Sequence, residues 1–568
     1  MTPPRWRWLP AQGSWAYHLL LAATGMLVLG PLAGVTAAYM NFSLGFFVGG
    51  QVLAGLLGSA VTAGYGSEGK HGANYIQTAA ASVASMSGMG VLVQAMVWMG
   101  LPQPPLWQLV AYFVCIGMFG VGVGMLYTPV LVDRLHLAFP SGLAVANILR
   151  ALTDTTLLKR SVRQLGTGVA SGIAAGLLVP RLAVLGAIET SASTFGAGMV
   201  VGARIGVPAV IGGLLGVALQ PFFVSIGWLE PGDPFRKIMF LIALGTIMGA
   251  AIVDLALIFR QVLAGERQRA APDEDTWRRV HRGRLVLWVI AWGAATLATG
   301  HVLLRQPLLF LALGVALVFL FALVNGISTG VSDSNPISSA FVVSVVVMAL
   351  AGLTDPGAGL MAGAILLVST SVACDMQQDR STGWRLGTPR VLQFRYQVLG
   401  VLVGAVLAVV FARLFMAAYP VLTLDQTVMK AGQQPAAWGS AMTYKFVGVL
   451  RGLTADKPYQ RTAILVGVAI GFAIEAARKI LKPRAFWLDA VVLPSPYALS
   501  FGGFVNLPTS CWFGAGGVVA SLLERRTQKD RALPEDMSGT SLFGGGLIAG
   551  DALAALGLGI AGLLTTVF

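Results

Sequence analysis

Asp375 and Asp379 stand four residues apart, so on a helix one lies above the other. Two carboxylates at that spacing can share or pass a proton. They can equally pair with Arg380 and Arg385 close by. Asn74 and Gln77 are three apart and fall on one helix face, which Ser82 and Ser85 continue. Such a face either lines a path for a polar solute or ties helices together by hydrogen bonds. Asp333 and Asn335 lie in Gly-Val-Ser-Asp-Ser-Asn-Pro (330–336), between the apolar runs 306–327 and 337–353. Gly330 and Pro336 loosen or break a helix, and Pro336 also removes a backbone donor. A helix break at membrane depth with polar side chains beside it can hold a ligand. Asn147 follows the breaks at Pro140 and Gly142, and Asn506 comes two residues before Pro508. Both read as half-helix ends, where unpaired backbone groups can meet a ligand.

Isolated ionisable residues complete this set: Glu189, Arg204, Asp254, Glu475, Asp489 and Asp551. Glu475 follows thirteen uncharged residues after Arg461, and Asp551 stands alone between Asp536 and the last residue. Either could carry a coupling proton, together with Asp375 and Asp379. Either could instead neutralise an arginine, and Arg478, one turn on from Glu475, is placed for that.

The elements that position these groups must cross a membrane. The chain has 568 residues, 56% of them hydrophobic and 11% charged, with a mean hydropathy of +0.76. No Asp, Glu, Lys or Arg occurs at 8–67 or 71–132. Each block has room for two or more spans of about 20 residues. The composition predicts an all-α, polytopic membrane protein of 14–16 transmembrane helices (on windows of about 20 residues), with shorter pieces broken or re-entrant. The 71 glycines would let helices approach closely in lipid.

Two stretches look like copies. Residues 198–216 and 498–516 align Gly202 with Gly502, Pro208 with Pro508 and Gly216 with Gly516 at an offset of 300. Gly-Thr-Ile-Met-Gly (245–249) matches Gly-Leu-Ile-Ala-Gly (546–550) at 301, and Asn41 meets Asn335 at 294. The expected organisation is a first repeat over 1–260, a basic linker with a connecting helix over 261–305, and a second repeat over 306–568. Parallel and inverted arrangements of the repeats both remain open.

Other chemistries are poorly supported. Gly-Tyr-Gly-Ser-Glu-Gly-Lys (64–70) fits the phosphate-loop spacing, but His71 replaces the hydroxyl that would hold magnesium. It reads as a membrane-edge loop, which argues against ATP-driven pumping. The five histidines are scattered, and Cys115, Cys374 and Cys511 lie far apart in apolar surroundings. No metal site, cofactor or disulfide framework is expected. The net charge of +14 is spread over short segments between apolar runs, as the positive-inside tendency predicts, so the expected partner is a lipid bilayer and not nucleic acid. Arg5 and Arg7 before the first apolar stretch predict a cytoplasmic N-terminus in the cell (inner) membrane. Copies of the chain could also associate as a homo-oligomer.

Four stretches, in order, resemble the oligopeptide transporter (OPT) superfamily, above all its yellow stripe-like metal-chelate transporters. Asn-Tyr-Ile-Gln (74–77) is similar to the family's Asn-Tyr-x-Gln segment. Residues 330–339 resemble its Gly-x-Thr-Asp-x-Asn-x-x-Ser segment, with Ser332 for Thr. Residues 375–400 resemble Asp-x-x-x-Asp-x-x-x-Gly followed by Pro-Arg and Gln-x-x-Gly, and 544–553 resemble the closing Gly-Leu-Ile-x-Gly-Asp/Glu element. The resemblance implies a proton-coupled importer, not an enzyme, of small peptides or peptide-like metal chelates, with about sixteen spans. Asn74, Gln77, Asp333, Asn335, Asn147 and Asn506 are then the candidate substrate-facing groups. A channel-like pore, or an intramembrane enzyme acting on a lipid-linked substrate, is the alternative.

Overall fold

The computed structural model describes residues 9–45, 50–137, 139–151, 155–181, 190–264, 277, 279–332, 335, 337–435, 438–454, 458–482, 485–526 and 538–567. Every secondary-structure element among them is helical. The first half holds α1 (Trp15–Ser43), α2 (Gly50–Thr62), α3 (Gly69–Gly88), α4 (Val91–Trp98), α5 (Leu106–Thr128), α6 (Pro140–Ala151), α7 (Thr155–Leu178), α8 (Ala192–Val201), α9 (Ala203–Ser225) and α10 (Arg236–Ala264). A peripheral helix, α11 (Arg282–Ala298), follows. Then come α12 (Leu308–Ser332), α13 (Ile337–Leu350), α14 (Pro356–Leu386), α15 (Arg390–Ala418), α16 (Ala441–Thr454), α17 (Pro458–Leu481), α18 (Pro496–Phe504), α19 (Leu507–Arg526) and α20 (Gly539–Val567).

Ten helices among the described residues are long and apolar enough to cross a membrane, fewer than the expected 14–16. Part of the difference lies in α7 and α17, each 24 residues long. Lys159, Arg160 and Arg163 open α7, and Glu475, Arg478 and Lys479 close α17, which lowers their mean apolarity. Broken helices occur as expected at two places in the described residues. Gly202, at φ 77°, separates α8 from α9, and the extended Val505 separates α18 from α19. Between α12, which ends at Ser332, and α13, which begins at Ile337, only Asn335 is described, and it is not helical. The phosphate-loop-like segment is a tight 3-10 turn joining two helices, with Gly66 at φ 61°.

The longest helix, α14, is the axis of the molecule. Its start is set by Asp355, whose side chain accepts from the Gly357 N–H at 2.9 Å, and by Pro356, whose ring suits the first helical position. Its end is set by Gly387 in the left-handed region at φ 72°, with the Thr388 N–H closing on the Gly383 carbonyl at 2.8 Å. The most apolar stretch of α14 is wholly buried, packed among α3, α5, α6, α12 and α13. A helix carrying Asp375, Asp379 and Arg380 is therefore surrounded by protein, which is what intramembrane charge requires.

Glycines set the helix contacts, and they do so reciprocally. A Cβ at Gly168 or Gly172 of α7 would strike the Phe543 or Leu547 carbonyl of α20, and one at Gly467 or Gly471 of α17 would strike the Ile242 or Thr246 carbonyl of α10. Gly198 meets the Phe513 carbonyl while Gly502 meets that of Ala209, and Gly212 meets Leu499 while Gly516 meets Phe195. The same exchange links α5 with α14 (Gly120 on Ser369) and α15 with α3 (Gly400 on Ala79). Close backbone approach of this kind replaces the hydrophobic drive that lipid cannot supply. In the 245–249 and 546–550 segments, a Cβ at Gly245 would meet the Ile464 carbonyl and one at Gly546 the Leu165 carbonyl.

Candidate functional site

The site is a buried polar seam where α3 and α15 press on the second half of α14. Gln77 Nε2 donates to Asp379 Oδ1 at 2.7 Å, and Asn74 Nδ2 donates to Thr388 Oγ1 at 3.2 Å. Both amides share a face of α3 because they are three residues apart. Gln393 of α15 bridges the two walls: its Nε2 donates to Thr78 Oγ1 at 3.0 Å and to the Asp379 carbonyl at 2.8 Å. Gly383 makes the close approach possible, because a Cβ there would come within 2.6 Å of Gln393 Oε1 and 3.4 Å of Asn74 Nδ2.

Arg380 is the buried cation of this seam, only 1% exposed. Its Nη1 donates to the Arg390 carbonyl at 2.8 Å and to Gln393 Oε1 at 2.9 Å. Arg390 itself forms a two-pronged pair with Asp133, at 2.8 and 2.6 Å, and so anchors the start of α15 to the helical turn Pro129–Arg134 that follows α5. Buried atoms around Asp379 and Arg380 without a hydrogen-bond partner in the protein include Asn74 Oδ1, Gln77 Oε1, Asp379 Oδ2, and Arg380 Nε and Nη2. Buried polar atoms are normally satisfied, so a connected group of open ones is a place for a polar ligand or for water. Asp375 sits half-buried one turn before Asp379, beside Ser85 of α3.

The model of the family described as OPT oligopeptide transporter protein matches residues 20–561. The chain belongs to the OPT oligopeptide transporter family. A protein of Haemophilus influenzae named "Putative oligopeptide transporter" is 22% identical over 581 aligned positions, covering 91% of each chain. As an OPT member the chain is a multi-pass membrane transporter and not an enzyme.

In this OPT chain the residues singled out by sequence divide into groups. Asn74, Gln77, Asp375 and Asp379 come together, and Arg380 joins them as a wall of the seam. Asn335 is half-buried with an unpartnered Oδ1, and no described contact links it to the seam. Asp333 lies outside the described residues, as does the side chain of Asn147; the backbone of α6 does reach α14, where Thr382 Oγ1 donates to the Gly142 carbonyl at 2.9 Å. Asn506 caps α19, its Oδ1 accepting from the Thr509 N–H at 3.0 Å. Glu475 sits in an ion-pair net: 3.8 Å from Arg478, 3.1 Å from Lys479, which also holds Asp254 at 2.7 Å. Asp551 Oδ2 accepts from Tyr39 OH at 3.2 Å and from the Ser193 N–H at 3.0 Å, at the start of α8.

Gln393, Thr388 and Thr78 were not singled out by sequence. Gln393 and Gln397 are four apart in an apolar helix, the same one-face signal as Asn74 and Gln77, and that spacing could have found them. Arg380 was visible only as a partner for Asp375 or Asp379; in the fold it turns to Gln393 and the Arg390 carbonyl instead. Among the described residues no group of His, Cys, Asp or Glu is arranged to hold a metal ion.

Proposed function

We propose that this OPT member is a secondary active transporter that moves small oligopeptides, or peptide-like metal chelates, in symport with protons. The observation that carries the reading is the seam itself: open donors and acceptors on charged and amide groups, inside helices buried within a membrane protein. The relative's name, an oligopeptide transporter, supports the peptide as cargo. Buried carboxylates at Asp379 and Asp551, with Asp375 between protein and open space, supply groups able to take up a proton in one state and release it in another.

The reciprocal glycine contacts support two duplicated units, residues 1–260 and 306–568, with 261–305 as linker and connecting helix. Each unit hands helices to the other, which suits alternating access by relative movement of the two. Arg5 and Arg7 support a cytoplasmic N-terminus in the cell (inner) membrane. The test is uptake of a peptide library into proteoliposomes, with and without an imposed proton gradient. Accumulation driven by the gradient is expected. Equal uptake in both conditions removes the coupling, and no peptide uptake removes the transporter reading for peptides.

A further inference from the structure

Resting on that transporter reading, we infer that the seam recognises the two charged ends of a short zwitterionic ligand: a carboxylate on Arg380 and an ammonium on Asn74, Gln77 and Asp379.

Arg380 spends Nη1 on protein, on the Arg390 carbonyl and Gln393 Oε1, and leaves Nε and Nη2 open. Those two nitrogens form one edge of the guanidinium, the edge whose parallel N–H bonds match the two oxygens of a carboxylate. Three open atoms on the facing amides and carboxylate are acceptors: Asn74 Oδ1, Gln77 Oε1 and Asp379 Oδ2. An ammonium has three N–H donors and no acceptor, and three acceptors are what it needs. The two sets belong to one hydrogen-bond net, because Gln77 is bonded to Asp379, and Gln393 is bonded to both Arg380 and the Asp379 carbonyl.

Charge argues the same way. Asp379 and Arg380 offset each other, so a zwitterion adds no net charge to a buried place. A bare divalent cation would meet the Arg380 guanidinium, and a phosphate would meet the Asp379 carboxylate. A ligand carrying both signs at its two ends meets neither penalty. Thr388 holds the Asn74 side chain, Asp379 that of Gln77 and Thr78 that of Gln393, so the acceptors are pre-positioned.

The experiment compares four tripeptide libraries in proteoliposomes of the full chain: free, N-acetylated, C-amidated and doubly blocked. Each lost charge-assisted contact in a dry site weakens uptake about tenfold or more. The free library should therefore lead either singly blocked one by about tenfold and the doubly blocked one by more. Equal uptake of free and blocked libraries overturns the inference and leaves the transporter standing; no uptake of any library removes the reading on which it rests. Divalent metal ions alone competing with the free library would assign the acceptors to a metal and overturn the ammonium half.

Arg380→Lys keeps a positive charge and a donor for Gln393 but loses the fork. It should bring uptake of the free and C-amidated libraries to about the same level, while the preference for a free amine persists. A variant that slows all four libraries by one factor shows a purely structural Arg380 and overturns the carboxylate half. Should Arg380→Lys fail to fold, the library comparison on the unaltered protein decides alone.

Discussion

Gly172 and Gly471 occupy matching places in two helix pairs, and replacing each by alanine tests both the packing and the match. In α7 a Cβ at Gly172 would meet the Leu547 carbonyl and lie 3.0 Å from Asp551 N and Gly550 Cα of α20. In α17 a Cβ at Gly471 would meet the Thr246 carbonyl, with its carbonyl carbon 2.6 Å and Cα 2.7 Å away. All of these neighbours are backbone, so no side chain can turn aside and the helices must part. Such overpacking costs about 1–3 kcal/mol. Alanine also gains up to about 1 kcal/mol in helix preference. Gly166, on the same helix as Gly172, isolates that gain, because nothing lies within 4 Å of a Cβ there. The expected result is that Gly166→Ala is neutral or slightly stabilising. Gly172→Ala and Gly471→Ala should each be about 1–3 kcal/mol less stable than that control. Reversible unfolding in mixed micelles titrated with dodecyl sulfate, followed by circular dichroism, reads the difference. If Gly172→Ala is as harmless as Gly166→Ala, the packing argument is refuted. If only one of the two buried positions is sensitive, their equivalence is refuted.

Asp133→Ala should strand the Arg390 guanidinium, which is 5% exposed at its side chain, and the same titration should show a loss of about 2–3 kcal/mol, discounted because Asp133 is 21% exposed. Outside the spans, Lys430 joins the 424–434 loop to Glu230 and Asp233, both contacts at 2.9 Å. Burial pushes the Asp233 carboxyl up, but hydrogen bonds from Lys237 and Lys430 outweigh it and hold the group below its ordinary 3.8. A depressed carboxylate stabilises above its unfolded value and loses that contribution as pH falls through the folded one. Amide protection in 424–434, taken as the exchange rate relative to the intrinsic rate at each pH, should thus be flat from about pH 5 to neutrality and fall below about pH 4, and protection unchanged through that acid range would contradict this assignment. Asn506→Ala should cost about 1 kcal/mol through the lost cap and leave peptide affinity unchanged, measured by uptake KM against Asn74→Ala, whose KM should rise. Asp551→Asn should abolish gradient-driven uptake while peptide exchange across the membrane continues; loss of both would make Asp551 structural.

The all-helical membrane fold was legible because long charge-free blocks leave no other solution in lipid. The polar face of α3 and the carboxylates of α14 were legible for the same reason: in such runs every amide and charge stands out. Span number was less legible, because α7 and α17 bury glycine faces against α20 and α10 and so need less apolar surface than a lone span. Pro208 is the sixth residue of α9 and Pro508 the second of α19, a difference in helix position that the sequence match does not report. Asn506 and Glu475 have partners close in sequence, Thr509 for the one and Lys479 and Arg478 for the other, and spacing alone left those pairings undecided. Arg380 turned on a partner thirteen residues away across a helix junction, Gln393, which no periodicity reports.

The crossed pairing of α7 with α20 and α10 with α17 also sets an order of assembly. Helix α7 ends at Leu178 and its partner begins at Gly539, about 360 residues later. At roughly 5–20 residues per second, α7 waits on the order of 20–70 s in the membrane before α20 is made. During that wait Gly168 and Gly172 have no opposing backbone, and the Ser193 N–H has no Asp551 carboxylate to receive it. The early helices of this transporter are therefore clients of whatever insertion machinery shelters half-made polar surfaces, and ribosome pausing before residue 539 would lengthen their exposure in direct proportion.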